Sequence, residues 1–168
     1  MSLDSGTPVE IVAVGRELLT GRVADTNSAW VAARLTDAGA RVARIVTVDD
    51  DPGDVARAIG DARRRDAALV VTTGGLGPTV DDVTLAGVAL AVGRALVESP
   101  EALVFVGRRY AEIAAAGAVA DAALTPSRRK MAALPAGAEM LANPVGTAPG
   151  VLIGDDGFTV VALPGVPE

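Results

Sequence analysis

Short runs of β-branched and aliphatic residues alternate along the chain with stretches whose apolar residues recur at helical spacing. "VEIVAVG" (9–15), "ARVARIVTV" (40–48) and "AALVVTT" (67–73) read as buried strands. Between them, "TNSAWVAARLTDA" (26–38) places Trp30, Val31 and Leu35 at helical spacing and is stopped by Gly39. "DPGDVARAIGDARRR" (51–65) is a second helix, with Pro52 near its start, where a missing N–H costs nothing. Further helices are expected from Asp82 onward, over Glu101 to Ala116, and briefly over "SRRKMAAL" (127–134). The C-terminal part changes character: "AEML", "GVLIG" and "FTVVAL" read as strands, and the Asp-Gly of "DDG" is a hairpin signal. Such alternation predicts an α/β fold, a mainly parallel sheet with helices on both faces and a late antiparallel hairpin. Trp30 is expected in the core.

In a sheet of this kind ligands bind beyond the carboxyl ends of the strands. Four segments then converge on one rim: "GRELLTGRVADTN" with Gly15, Glu17, Gly21, Asp25 and Asn27; "DDD", Asp49 to Asp51; "TTGGLGPTVDD", Thr72 to Asp82; and "PGVPE", Pro164 to Glu168. That rim is rich in glycine and carboxylate.

Composition narrows the chemistry. The 168 residues contain no cysteine and no histidine, which excludes disulfides, thiolate nucleophiles, imidazole bases and zinc fingers. Fifteen basic against 21 acidic residues give a net charge of −6, with no general attraction for nucleic acid or an anionic membrane. Lys130 is the only lysine. Elimination favours carboxylates holding a hard, oxygen-seeking cation such as magnesium. Residues 1–8, "MSLDSGTP", read as a disordered leader or cloning remnant without a signal-peptide core, and the apolar run from Val83 to Gly93 is too short to span a bilayer. A cytoplasmic protein is expected, with 9–168 forming one domain.

The stretch "TTGGLGPTVDD" lacks the Gly-Lys-Ser/Thr ending of a Walker loop and the spacing of a dinucleotide fingerprint. What it offers is a turn in which Gly74, Gly75 and Gly77 let backbone approach a ligand, followed by a helix start with free N–H groups. Thr79 and Asp82 have capping-box spacing, so helix capping is the plain alternative for the Asp81–Asp82 pair, and Asp81 is the one assigned to it first. Asp49–Asp51 alone reads as a solvated loop and helix cap, and "NPVGTAPG" (143–150) as a double turn. "SRRK" (127–130) matches the S-x-x-K of serine β-lactamases without their other motifs, and reads instead as a basic helix face or a phosphate contact.

Taken together, "GRELLTGRVADTNS", "VDDD", "TTGGLGPTVDDVT", "TPSRRKMA", "NPVGTAPG" and "LPGVPE" resemble the molybdopterin-binding domain of the molybdenum-cofactor biosynthesis superfamily, most of all its CinA-like branch. The resemblance implies a three-layer α/β fold and a homo-dimer or homo-trimer. Its adenylylating members carry Gly-Gly-Thr-Gly where this chain has Gly74 to Gly77, and Leu76 is the CinA-branch form, which weakens a molybdopterin adenylyltransferase reading. Their essential aspartates fall on Asp82 and Asp50. CinA-like proteins are associated with metal-dependent hydrolysis of ADP-ribose-like diphosphates, and many carry a further deamidase domain, for which 168 residues leave no room. The family pattern also continues past "PGVPE", so the chain is expected to be either a fragment of a longer protein or a minimal stand-alone domain.

The resulting expectation is a pyrophosphatase in which Asp50 and Asp82, with Asp81, hold magnesium, manganese or cobalt. Thr73, Gly74, Gly75, Gly77 and Thr79 face phosphate, and Arg129 or Lys130 balances charge on the leaving group. Asn143, Gly146 and Thr147 line the nucleoside pocket, with Glu17, Asn27, Pro164 and Gly165 on the same rim. The alternative is a binding module that holds molybdopterin or a nucleotide without turnover.

Overall fold

The computed structural model describes residues 6–155 and 157–165. In chain order the elements are β1 (Pro8–Val14), α1 (Arg16–Leu19), α2 (Thr26–Asp37), β2 (Arg41–Val48), α3 (Pro52–Arg64), β3 (Leu69–Thr73) and α4 (Thr84–Val92). They continue with β4 (Leu96–Glu98), α5 (Pro100–Ala115), α6 (Pro126–Lys130), β5 (Ala133–Pro135), β6 (Glu139–Leu141), β7 (Gly150–Asp155) and β8 (Phe158–Leu163). A six-stranded sheet runs β2-β1-β3-β8-β7-β6; its first four strands are parallel, while β7 is antiparallel to both its neighbours. The expected α/β class and the late antiparallel pair are both present. Asp156 of the expected Asp-Gly turn lies outside the described residues, as do residues 1–5 of the expected leader and residues 166–168 of the last rim segment. Gly6 already donates to the Gly39 carbonyl at 3.0 Å.

Strand alternation sends side chains to two layers. Val12, Val14, Val70 and Val160 pack with Val55 and Ile59 of α3, Val88 of α4 and Phe105 and Val106 of α5. Val9, Ile11, Leu69 and Val71 face the other way, onto Val31 of α2. The helix starts follow a common pattern of a polar cap before proline: Asp51, Ser99 and Thr125 accept from the N–H groups of Asp54, Ala102 and Arg128, with Pro52, Pro100 and Pro126 next in line. Asp25 caps α2 through the Ser28 N–H at 2.9 Å.

Three expectations are corrected. Trp30 is not core but 61% exposed, because the buried stripe of α2 runs through Ser28 and Val31; the indole lies under the Arg34 guanidinium, 5.3 Å from the ring centroid. The third long helix starts at Thr84 rather than Asp82. The short helix expected over 127–134 is α6 and ends at Lys130, and residues 133–135 instead form β5, paired with β4 in a separate two-stranded antiparallel sheet.

Helices α3 and α4 touch where Gly87 carries no side chain. A Cβ there would lie 2.5 Å from the Val55 Cβ and 2.9 Å from the Pro52 carbonyl oxygen. Gly87→Ala is therefore expected to destabilise the fold by about 1–3 kcal/mol, the scale of overpacking, measurable by urea denaturation.

Candidate functional site

The strand ends converge as the topology requires. Val14 ends β1 and Glu17 follows it, Asp50 follows β2, Gly74 to Gly77 with Asp81 and Asp82 follow β3, and Pro164 and Gly165 follow β8. With Asn143 and Val145 to Ala148 of the β6–β7 loop they enclose a cavity of about 630 Å³.

The glycine loop is held by its backbone. Gly74 has φ 92° and Gly75 φ 66°, a region that disfavours L side chains. A Cβ on Gly74 would sit 2.5 Å from the Val14 carbonyl oxygen, and one on Gly75 would sit 2.3 Å from the Thr84 Oγ1. The Thr84 hydroxyl donates to the Gly74 carbonyl at 2.8 Å, and the Thr84 N–H to the Gly75 carbonyl at 3.1 Å. Within the expected phosphate-facing stretch, the Gly74 N–H is spent on the Leu163 carbonyl and the Thr79 N–H on Asp82. The N–H groups of Gly75, Leu76 and Gly77 have no partner among the described residues and stand in the cavity wall. They are the backbone donors that this loop leaves unused.

The two adjacent aspartates differ in their contacts. Asp82 makes the cap-like contact: its Oδ2 accepts from the Thr79 N–H at 2.7 Å and the Thr79 hydroxyl at 2.6 Å. It closes a turn before the helix, whose own cap, Val83, makes no side-chain bond. Its carboxylate lies against Gly77, where a Cβ would meet Oδ2 at 2.7 Å. Asp81 makes no hydrogen bond among the described residues and is exposed on the cavity wall.

Across the cavity, Asp50 Oδ2 accepts from the Arg16 N–H at 3.0 Å, while Asp49 takes the Arg16 guanidinium at 2.9 and 2.8 Å. Asp51 is used as a helix cap. The three aspartates thus divide into a clamp, a residue of the cavity wall and a cap. Arg16, absent from the expected site, ties the β1 loop to the β2 loop. Its guanidinium, followed by the Asp50 N–H, holds the Asp49 carboxyl below the usual carboxylate range. With a folded value below the unfolded one, the clamp's stabilisation is present above the ordinary carboxylate range and is lost as pH falls through the lowered value. An NMR titration is expected to show Asp49 protonating at lower pH in the folded chain than in an unfolded peptide.

Asn143 is an internal brace. Its amide donates to the Ala148 carbonyl at 3.0 Å and accepts from the N–H groups of Val145 and Gly146 at 3.0 and 3.1 Å. Arg109 of α5, also absent from the expected site, holds this loop from behind through the Gly146 and Val145 carbonyls at 2.9 and 2.6 Å. Arg109→Ala is expected to cost about 1.5–3 kcal/mol of stability and to weaken ligand binding, read from thermal melts with and without ligand.

Arg129 and Lys130 do not reach the main cavity. Arg129 pairs with Glu98 at 2.7 Å. Lys130 donates to the Thr79 carbonyl and lines a smaller cavity behind the glycine loop, with Gly75, Leu76, Gly77 and Asp82. Thr79 is on neither wall, and Asn27 and Thr73 line a neighbouring chamber.

Among the described residues, the main cavity wall carries four carboxylates, Glu17, Asp50, Asp81 and Asp82, and no arginine or lysine. No cluster of three or more histidine, cysteine, aspartate or glutamate residues among them is placed to hold a metal by itself. A hard cation would fit here only as magnesium commonly binds, through one or two carboxylates plus the oxygens of a ligand phosphate. No helix among these residues is long and apolar enough to cross a membrane.

A glycine cradle and carboxylate rim at the carboxyl ends of parallel strands define an α/β small-molecule-binding domain. The chain belongs to the family described as "Probable molybdopterin binding domain", which it matches over residues 10–168. A protein of Aeropyrum pernix is 52% identical over 158 residues, and protein PH0439 of Pyrococcus horikoshii 44% over 159, covering 94% and 95% of this chain. The chain spans 56% and 62% of the lengths of these relatives. The crystal structure of "the protein CinA with unknown function" from Thermoplasma acidophilum superposes with a TM-score of 0.85 at 37% identity, covering 98% of this chain and 91% of that one. The tungsten cofactor synthesizing protein MoaB of Pyrococcus furiosus shares the fold, with a TM-score of 0.59 at 19% identity and coverage of 98% and 85%.

Proposed function

We propose that the domain hydrolyses the diphosphate bridge of ADP-ribose-like nucleotides with the help of a divalent cation. The observation that carries this reading is the cavity wall itself: three free N–H groups on the glycine loop line the same space as Asp50, Asp81 and Asp82, with no basic side chain among the described wall residues. A diphosphate in so acidic a cavity requires a cation to offset the repulsion. Asp50 and Asp82 would hold magnesium, manganese or cobalt together with phosphate oxygens, and Asp81, on the same wall, would join them. When bound, the cation polarises the diphosphate and lowers the pKa of water.

The chain's own groups do the rest. Gly75, Leu76 and Gly77 direct N–H groups at the anion, and the turn held by Thr79 fixes the Asp82 carboxylate against Gly77. The Asn143–Ala148 loop, braced by Arg109, shapes the nucleoside end of the cavity. Hydrolysis adds one water across the P–O–P bridge and leaves two phosphomonoesters. The resemblance to CinA-like proteins supports this choice, and with it a cytoplasmic homo-dimer or homo-trimer acting on a small molecule.

A second reading is favoured by the engagement of Asp82 with Thr79 and of Asp50 with the Arg16 N–H. In that reading the carboxylates are structural or bind ring nitrogens and ribose hydroxyls, and the domain holds a nucleotide or molybdopterin without turnover. Incubation with ADP-ribose and each of the three metals separates the two. Release of AMP supports hydrolysis; tight binding with no AMP supports the binding module.

A further inference from the structure

The three consecutive basic side chains of α6 each hold a different segment. Arg128 donates to the Asp121 carboxylate at 3.0 Å and the Ala123 carbonyl at 2.7 Å, and its guanidinium lies 4.1 Å from the Tyr110 ring centroid. Arg129 pairs with Glu98 of β4. Met131 and Ala132, both buried, follow the helix directly. These contacts fix α6 to the body of the fold. Lys130, the only lysine, reaches elsewhere: its ammonium donates to the Thr79 carbonyl, 51 residues back along the chain.

That carbonyl is the acceptor of a turn. It also takes the Asp82 N–H, at 3.3 Å, while the Thr79 N–H and hydroxyl both return to Asp82 Oδ2. Thr79 thus holds Asp82 by its backbone and its side chain, and Lys130 holds Thr79. A hydrogen bond from a charged donor is stronger than one between neutral groups. Without the ammonium, the Thr79 carbonyl would keep only the long bond from Asp82.

Gly75, Leu76, Gly77 and Asp82 line both the main cavity and the smaller one behind it, so they form the partition between the two. Among the described residues, the rear wall includes two charged side chains, Asp82 and Lys130, set among aliphatic ones such as Leu85 and Met131. The front wall has four carboxylates and no base. A cation behind the partition offsets part of that repulsion, weakly screened by its apolar surroundings, and leaves the front free for a ligand. We propose that Lys130 is a positioning residue for the hydrolysis: it anchors the Thr79–Asp82 turn from behind and so keeps the Asp82 carboxylate in one place on the main cavity wall. Its effect on turnover rests on the diphosphate reading; the anchor itself does not.

Lys130→Met removes the charge and the donor but keeps an unbranched aliphatic chain. With ADP-ribose and magnesium it should lower kcat about tenfold, the low end for one hydrogen bond to a charged group, and leave KM and the urea midpoint little changed. Lys130→Arg restores charge and donor and should recover most of kcat. Amide hydrogen exchange followed by NMR reads the anchor apart from activity. The N–H groups of Thr79 and Asp82 should exchange about ten times faster in Lys130→Met, while those of α4 keep their rates, as expected of a local opening. Unchanged exchange at Thr79 and Asp82 overturns the anchor. Faster exchange with unchanged kcat overturns the positioning role and leaves a structural contact. If the wild type releases no AMP, the hydrolysis reading falls, and the exchange rates alone decide whether Lys130 anchors the wall of a binding module.

Discussion

Exchanging Asp82 for asparagine is expected to lower AMP release from ADP-ribose by roughly 10²–10³-fold, the scale of losing one preorganised electrostatic group. Stability should barely move. The asparagine carbonyl oxygen can still accept from the Thr79 N–H and hydroxyl, the two bonds that close the turn beneath the glycine loop. Folding should therefore stay within about 1 kcal/mol of wild type. Asp81→Asn should have a smaller effect, because Asp81 is exposed and makes no hydrogen bond among the described residues. Steady-state assays beside urea melts measure both quantities. A large loss of stability in Asp82→Asn would make the aspartate a structural clamp first.

The second large effect is expected at Gly74. Gly74→Ala forces a side chain into φ 92° and places its Cβ 2.5 Å from the Val14 carbonyl oxygen, a backbone atom at the end of β1. The strand and the loop must then move apart, at a cost of about 2–4 kcal/mol from left-handed backbone strain plus the clash. Ligand binding should fall with it, since this turn fixes the loop that carries the free N–H groups of Gly75, Leu76 and Gly77. Gly117 provides the control: its φ is 76° but no atom lies within 4 Å of an added Cβ. Gly117→Ala should cost only about 1 kcal/mol and leave binding intact. Equal costs at the two positions would show that the close approach to Val14 is not what fixes the loop.

The parts of this site legible in the sequence are those governed by local rules. Parallel strands put their ends on one side, so strand–helix alternation is enough to gather Glu17, Asp50, the glycine loop and Gly165. Pro52 marks a helix start, and Ser99-Pro100 and Thr125-Pro126 repeat the same signal. The failures have equally specific causes. Trp30 stands at helical spacing with Val31 and Leu35, but one position off the buried stripe, and a lone aromatic cannot reveal that offset. The Thr79–Asp82 spacing reads as a capping box at a helix that starts at Asp82. The Gly-Pro-Thr turn delays the start to Thr84, so the capping geometry spans Thr79 to Asp82 and falls outside the helix.

Arg16 and Arg109 are invisible in the sequence for another reason. Each works at the end of a long side chain on a segment more than 30 residues away, Arg16 on Asp49 and Arg109 on Gly146. Nothing in the surrounding sequence distinguishes them from other arginines. The same limit applies in reverse to Arg129, whose place in a basic cluster suggests a phosphate contact. Its partner is Glu98, brought alongside by the small β4–β5 sheet. That sheet consists of two three-residue strands, too short to stand out by alternation.

The most direct measurement is a ³¹P NMR time course of ADP-ribose with the purified protein and magnesium, run beside EDTA and Asp82→Asn controls. The account predicts that the diphosphate resonances give way to two phosphomonoester signals in the wild type with metal, and persist in both controls. Persistence of the diphosphate in the wild type with magnesium, manganese and cobalt would contradict it.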